Sequence, residues 1–227
     1  QNILTWQAQT ALNPPMTELR SCTLQLNGQP GGCLLSDQKS IIAPALPIVS
    51  RHQFFSDRKV SSLWYVWSEA ATPAATYDIH SSFNGQTTPL YTSSKFHEVV
   101  TDFAFPFILF FESTPLNSVG GSLYLGVINS TLKYSLAQTG TNMQARFSST
   151  LFIRNNDPKF IVWQEGTVFG NKRVYLTTFS PTGSMPIIDV SKDTPTSNYM
   201  PVVSGNTVVF VKQQQTQPTR LYYAYCQ

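Results

Sequence analysis

The sequence predicts an all-β fold, and three observations carry this prediction. An apolar strand, followed by a polar loop and a second strand with a central aromatic residue, recurs five times. The apolar strands end at Trp6, Trp67, Phe110, Trp163 and Val211, and strand units that repeat every ~40–50 residues are typical of propeller blades. Helical periodicity is absent, while 15 prolines and 12 glycines separate short β-branched and aromatic runs. The predicted architecture is therefore a β-propeller.

Each predicted unit has the same order of elements. The apolar strands are predicted at residues 3–6, 63–67, 107–110, 160–163 and 208–211. The aromatic strands follow at residues 22–26, 79–83, 123–128, 174–179 and 221–225. An inner strand precedes the apolar strand in four units, at residues 45–50, 97–100, 147–152 and 200–204. A weaker fourth strand follows the aromatic one, for example at residues 185–188, so a complete unit has the strand content of a propeller blade.

The last unit carries a resemblance to known repeats. Residues 199–211 contain Pro201 before an inner strand, then the Gly205-Asn206 turn and an apolar strand, and residues 219–223 form an aromatic strand. This order resembles the blades of TolB-like and WD40-like propellers. The Asp-Gly turn of the TolB-like blade is replaced here, and the WD dipeptide is absent. The resemblance implies a fold and no particular function.

The number of blades depends on the two ends of the chain. The first unit lacks an inner strand in the sequence, and the last unit stops after its aromatic strand. Residues 1–10 are therefore predicted to complete the last blade, which closes a ring of five blades in a single domain over residues 1–227. The alternatives are four blades, or an incomplete part of a larger propeller.

Composition excludes some classes of partner. Only 12% of residues are charged and the net charge is +3, with the basic residues scattered, so binding to nucleic acid is not expected. The low charge with abundant Ser, Thr, Gln and Asn favours a secreted, extracellular or periplasmic protein. No apolar run reaches the length of about 20 residues that spans a membrane. The longest, residues 103–111, is broken by Pro106 and predicts a buried strand pair.

Cysteines and one sequon suggest covalent modifications. Cys22 and Cys33 flank a turn at residues 27–32, so they are the candidate disulfide on adjacent strands. Pairing of Cys226 with either one, or three buried thiols, are the alternatives. Asn129 begins an Asn-Ser-Thr sequon and is a candidate glycosylation site in a secreted protein.

A row of polar side chains at the ends of the apolar strands forms the candidate binding site. Glu69, Glu112 and Glu165 each follow the large terminal residue of an apolar strand by two positions, and Gln213 is the candidate in the last unit. Side by side at the mouth of a propeller, they would attract a cation, a basic partner or sugar hydroxyls. Alternatively, each glutamate satisfies backbone amides of its own loop or pairs with Arg or Lys of the next blade.

These features predict a non-enzymatic binding module for a protein or carbohydrate ligand, without a cofactor and with the oligomeric state left open. The histidines, at 52, 80 and 97, have no metal-ligand spacing, so no metal is expected. One alternative is a glycoside hydrolase, which needs two carboxylates and would use Glu98 with one other acid; Asp102 lies in or beside the same inner element, and the other inner elements carry no acid. The other alternative is a structural component of a larger assembly. Trp67 and Trp163 sit at matching repeat positions, which favours core packing over sugar stacking.

Overall fold

The described part of the chain consists of strands and turns, without a helix. The computed structural model describes residues 2–12, 15–24, 39–45, 50–59, 62–72, 75–83, 86–114, 117–137, 145–154, 157–166, 172–179, 186–192, 197–213 and 218–226. No helix in these ranges is long and apolar enough to cross a membrane. The predicted all-β class is confirmed.

The strands form five antiparallel sheets, each built from strands that are consecutive in the chain. Sheet 1 contains β1 (Asn2–Leu12), β2 (Pro15–Leu24) and β3 (Lys39–Ala45). Sheet 2 contains β4 (Ser50–Lys59), β5 (Ser62–Ala70), β6 (Asp78–Phe83) and β7 (Gln86–Tyr91). Sheet 3 contains β8 (His97–Ala104), β9 (Phe107–Thr114), β10 (Asn117–Val127) and β11 (Lys133–Ala137). Sheet 4 contains β12 (Ala145–Arg154), β13 (Asp157–Gly166), β14 (Lys172–Thr178) and β15 (Ile187–Asp189). Sheet 5 contains β16 (Ser197–Ser204), β17 (Thr207–Gln213) and β18 (Arg220–Tyr225).

The first strands of successive sheets contact one another, from β1 to β4, β4 to β8, β8 to β12 and β12 to β16. Only two residues separate the first and second strands of every sheet, so β1 occupies the inner position of sheet 1. The prediction that the first unit lacks its inner strand is therefore wrong. The inner strand predicted at residues 45–50 is also wrong in position. Sheet 2 begins instead with β4 (Ser50–Lys59), whose polar sequence does not show the apolar pattern of a buried strand.

The pairing of the N-terminal strand differs from the sequence prediction, in which residues 1–10 complete the last blade. The N-terminal strand β1 pairs with β2 inside sheet 1, with Trp6 opposite Arg20. Among the described strands it has no place in sheet 5, where β18 follows β17 at the end of the sheet. The number of blades, the closure of the ring and the single domain over residues 1–227 stay predictions.

The core lies between neighbouring sheets, because the strands alternate apolar side chains toward both of their neighbours. Sheets 2 and 3 bury a cluster that includes Val66, Ile79, Val100, Ile108 and Phe110. Sheets 3 and 4 bury Leu109, Leu123, Leu125, Leu136, Ile161 and Trp163. Sheets 4 and 5 bury Val162, Val174, Leu176, Val203, Val208 and Phe210. The predicted buried strand pair around Pro106 is confirmed as β8 and β9.

A stacked pair of rings occurs between the second and third strands of four sheets. This pair defines equivalent positions, so the four sheets can be compared residue by residue. The four pairs, with centroids 5.6–6.2 Å apart, are Trp67–His80, Phe110–Tyr124, Trp163–Tyr175 and Phe210–Tyr222. Cross-strand aromatic pairs of this kind stabilise a sheet by up to about 1 kcal/mol each. The core role predicted for Trp67 and Trp163 is confirmed, since both are buried.

Tyr91 of β7 ties sheet 2 to sheet 3 across a glycine. Its hydroxyl accepts a hydrogen bond from the Val127 amide at 3.0 Å and donates to the Leu132 carbonyl at 2.9 Å. A Cβ on Gly126 would lie 2.5 Å from this hydroxyl oxygen and 2.8 Å from the ring. Burial raises the pKa of Tyr91, so the hydroxyl stays protonated and available as a donor.

We expect Gly126→Ala to lower the free energy of unfolding by about 1–3 kcal/mol, because the new methyl group overpacks the site against a buried ring. Urea denaturation followed by tryptophan fluorescence measures the change. Tyr91→Ala/Gly126→Ala is the control, since removal of the ring should make the alanine at 126 nearly neutral. Equal costs of the alanine with and without Tyr91 would contradict the overlap as the cause.

Candidate functional site

Three of the four predicted polar side chains fall at one register in their sheets. In sheets 2 to 5 the second strand carries one ring of the stacked pair. Two residues after that ring stand Glu69 in sheet 2, Glu112 in sheet 3, Glu165 in sheet 4 and Lys212 in sheet 5. Gln213 therefore lies one residue beyond the equivalent position, because the Phe210–Tyr222 pair sets the register of sheet 5. The structure places the three glutamates at equivalent ends of their sheets, and their role in ligand binding stays a prediction.

Two of the glutamates bind the indole of their own strand. Glu69 accepts a hydrogen bond from Trp67 Nε1 at 2.9 Å, and Glu165 accepts one from Trp163 Nε1 at 3.1 Å. Residues two apart in a strand lie on the same face, which brings the carboxylate to the indole nitrogen. Both carboxylates thus satisfy a donor on a buried ring, which differs from the alternative partners expected from the sequence, the backbone amides of the loop or an Arg or Lys of the next blade.

Sheet 3 departs from this pattern because Phe110 has no N–H to donate. Glu112 instead forms an ion pair with Lys133, whose ammonium group also lies 4.6 Å from the centre of the Tyr124 ring. In sheets 2 and 4 the residue opposite the glutamate is an arginine, at Arg51 and Arg146. In sheet 3 the residue opposite Glu112 is Glu98, so two acids stand where the other sheets have an acid and a base.

Glu98 is the most perturbed acid of the described residues. The residue is only 2% exposed. Burial raises its pKa from the usual value near 4.5 to about 7, with a further rise from Glu112 and an opposing effect of Lys133. Its Oε2 atom has no hydrogen-bond partner within the described part of the chain. The carboxyl group can therefore hold or release a proton close to neutral pH.

The other candidates for chemistry in this region have local roles. Asp102, the acid in the same inner strand as Glu98, accepts a hydrogen bond from the next amide, Phe103, at 2.8 Å. His97 accepts one from the Tyr77 amide through Nδ1 at 3.1 Å, and His80 stacks on Trp67. Within the ranges described, no group of three or more His, Cys, Asp and Glu side chains could hold a metal ion.

The positions predicted for covalent modification are only partly described. Cys22 lies in β2, but Cys33 is outside the described residues, so their disulfide stays a prediction. Cys226 is a free cysteine, and burial raises the pKa of its thiol. A nucleophilic cysteine needs a lowered pKa, so Cys226 does not fit that role. Asn129 is exposed in the turn after β10, and its glycosylation stays a prediction.

A cleft of about 450 Å³ opens between sheets 4 and 5. Its walls are mainly apolar and include Phe160, Leu176, Ile188, Val190 and Ala224, with Asp189 and Cys226 among the polar lining residues. Binding sites for small molecules and side chains have this size and this mixture of apolar walls with a few polar groups. Sequence patterns could not reveal it, because its lining combines Phe160 and Leu176 of sheet 4 with Ala224 and Cys226, which lie about 50 or more residues later in the chain.

The Asp189 carboxylate is held rigidly at the edge of this cleft. It accepts hydrogen bonds from the Ser191 hydroxyl at 2.8 Å, from the Lys192 amide at 3.0 Å and from Arg173 at 2.8 Å. Burial alone would raise the pKa of Asp189, but these hydrogen bonds lower it below its usual value. The carboxylate is thus already ion-paired with Arg173, and Lys192 also lines the cleft beside its apolar walls.

Comparison with known proteins identifies the class of fold. No family model and no curated relative matches the chain. A solved structure from a study of two prolyl endopeptidases and their inter-domain dynamics matches with a TM-score of 0.60 and 10% identity, over 91% of this chain and 31% of that chain. A puromycin-hydrolyzing peptidase from Mycobacterium tuberculosis matches with a TM-score of 0.62 and 11% identity, over 98% of this chain and 34% of that chain. The likeness, together with the five consecutive sheets, shows a propeller fold that spans about a third of each neighbour's length.

These matches correct the function predicted from the sequence. The prediction of a non-enzymatic extracellular module that binds a protein or glycan is contradicted, because both solved neighbours are peptidases. The glycoside-hydrolase alternative finds no support among them either. The error arose because strand repeats specify the scaffold, whereas function depends on what the scaffold accompanies.

Proposed function

We propose that this chain forms the propeller part of a peptidase, and that the residues which cleave the peptide bond lie outside it. The observation that carries the proposal is the extent of the structural match. It covers nearly all of this chain but only 31% and 34% of two peptidase chains. Cys226, the one cysteine whose side chain is described, is also unsuited to act as a nucleophile, because burial raises the pKa of its thiol.

In this role the propeller would hold or admit the peptide substrate rather than cut it. We place an apolar side chain of the peptide in the cleft between sheets 4 and 5. The walls of Phe160, Leu176 and Ile188 would bury it, and no charge preference is assigned to the cleft, because Asp189 is already paired with Arg173. The acid pair of Glu98 and Glu112 is not assigned to this contact, because Glu98 is buried between sheets 2 and 3.

Two measurements on the purified chain test the proposal. A fluorogenic proline-containing peptide should show no cleavage above the buffer rate, whereas a labelled peptide with apolar residues should bind saturably by fluorescence anisotropy. Ile188→Lys should weaken this binding by about tenfold, because it places a charge in the cleft. Ile187→Lys is the matched control, since Ile187 is similarly exposed, at 51% against 45%, but does not line the cleft.

Each result has a distinct meaning. Cleavage that persists through independent purifications would contradict the location of the catalytic residues outside this chain. Equal binding by the two lysine variants would remove the cleft as the contact. A complete absence of peptide binding would contradict the substrate-holding role.

Other expectations from the sequence remain proposals. The TolB-like character of the last unit is supported by the order of elements in residues 199–211 and 219–223. A secreted or periplasmic location is supported by the low charge, and a disulfide between Cys22 and Cys33 by the turn between them. The expected lack of nucleic-acid binding is supported by the scattered basic residues.

A further inference from the structure

Sheet 5 exposes an apolar face. On this outer face, Leu221 is 75% exposed, Tyr223 is 78% exposed and Val209 is 38% exposed. Val209 pairs with Tyr223, and Leu221 pairs with Val211, so these side chains point to the same side of the sheet. The opposite face carries Val208 and Phe210, which are buried against sheet 4.

The same positions are buried in the two preceding sheets. The cross-strand pair Val209–Tyr223 corresponds to Leu109–Leu125 in sheet 3 and to Val162–Leu176 in sheet 4. Leu221 corresponds to Leu123 and Val174 in the same registers. All six of these earlier residues are at most 4% exposed. Sheet 5 therefore repeats an apolar pattern that is buried in sheets 3 and 4.

In sheets 3 and 4 these positions are buried by the next sheet along the chain. Leu109, Leu123 and Leu125 pack with Ile161 and Trp163 of sheet 4. Val162, Val174 and Leu176 pack with Val203, Val208 and Phe210 of sheet 5. Apolar surface that is left in water costs about 25 cal/mol per Å², so an uncovered face of this kind indicates an interaction site.

We propose that the outer face of sheet 5 binds a further antiparallel sheet of the same repeat type, packed on sheet 5 as sheet 5 packs on sheet 4. The register supports this occupant, because the equivalent positions of sheets 3 and 4 are each buried by the facing side of the next antiparallel sheet. A symmetric dimer would instead pack the outer face of sheet 5 against the same face of a second copy. None of the described sheet pairs packs two outer faces together. The inference does not depend on the proposed function.

Appending repeats of this chain to its own end tests the occupant. The first extension adds a copy of residues 180–226 after Cys226, which continues the register because Tyr225 corresponds to Thr178. The second adds a copy of residues 84–137 after Tyr225, which also corresponds to Phe83, and so supplies a fourth strand and the complete sheet 3. Hydrogen exchange of residues 220–225 and the unfolding temperature are measured in the full chain and in both extended chains.

We expect at least one extension to slow exchange in β18 by about tenfold or more and to raise the unfolding temperature. Val209→Thr/Leu221→Thr/Tyr223→Thr in the original sheet 5 should abolish this gain. The control Phe96→Thr/Leu132→Thr, which removes exposed apolar side chains elsewhere, should retain it.

Three results would overturn the proposal. In the first, neither extension protects β18 although the host sheets stay folded. In the second, light scattering shows that the unextended chain is a dimer with β18 protected, which would make a second copy the occupant. In the third, the unextended monomer already protects β18, which would mean that another part of this chain covers the face.

Discussion

Trp163→Ala is expected to lower the free energy of unfolding by about 3–5 kcal/mol, the usual cost of emptying a large aromatic site in a core. Trp163 is fully buried between sheets 3 and 4, where it packs with Leu109, Leu123 and Leu125. Its ring also stacks on Tyr175 at 5.8 Å. The alanine variant would leave a cavity on the line where two sheets meet and would remove the indole donor of Glu165. Urea denaturation measures the loss.

Trp163→Phe separates packing from the hydrogen bond. Sheet 3 already uses phenylalanine at this position, as Phe110, so the ring pair should survive. The loss should fall to about 1–3 kcal/mol, from the smaller ring and the lost hydrogen bond of Glu165. If the alanine variant unfolds within 1 kcal/mol of the parent, the packing role assigned to Trp163 is wrong.

The second large effect is a pH dependence of stability that Glu98→Gln removes. The pKa of Glu98 is raised to about 7 in the folded chain, from a usual value near 4.5, so the folded state holds this proton more tightly than the unfolded state. The resulting stabilisation is complete below pH 4.5 and is lost as the pH rises through 7. From the size of the shift, the loss is at most about 3 kcal/mol.

Glutamine stays neutral at every pH, so the variant should equal the parent below pH 4.5 and exceed its stability near pH 8. The comparison is made by urea denaturation at several pH values. The charged groups that act on Glu98 are Glu112, Lys133 and Asp78. Glu69→Gln, at the equivalent of Glu112 in sheet 2 and opposite Arg51, is the matched control and should keep the parent's slope. Identical slopes for Glu98→Gln and the parent would contradict the raised pKa.

Local pattern explains which features could be predicted. The apolar strands at residues 107–110, 160–163 and 208–211 were recognisable because apolar runs bounded by turn residues mark buried strands. The hydrogen bonds from Trp67 to Glu69 and from Trp163 to Glu165 follow from the same pattern, since residues two apart in a strand share a face, but the sequence alternative named backbone amides, Arg and Lys instead. By contrast, β4 was misplaced because its sequence is polar, and its inner position depends on pairing with β5.

By itself, the sequence determined the all-β class, the repeat and the burial of the large rings, because strand alternation and turn chemistry act over a few residues. Only the tertiary structure decided that Glu98 faces Glu112, since strand register and the packing of sheet 2 on sheet 3 set that proximity and its desolvation. The cleft beside Asp189 and the bare outer face of sheet 5 likewise depend on how whole sheets meet. Such contacts join residues that are distant in the chain, so a pattern of a few consecutive residues cannot predict them.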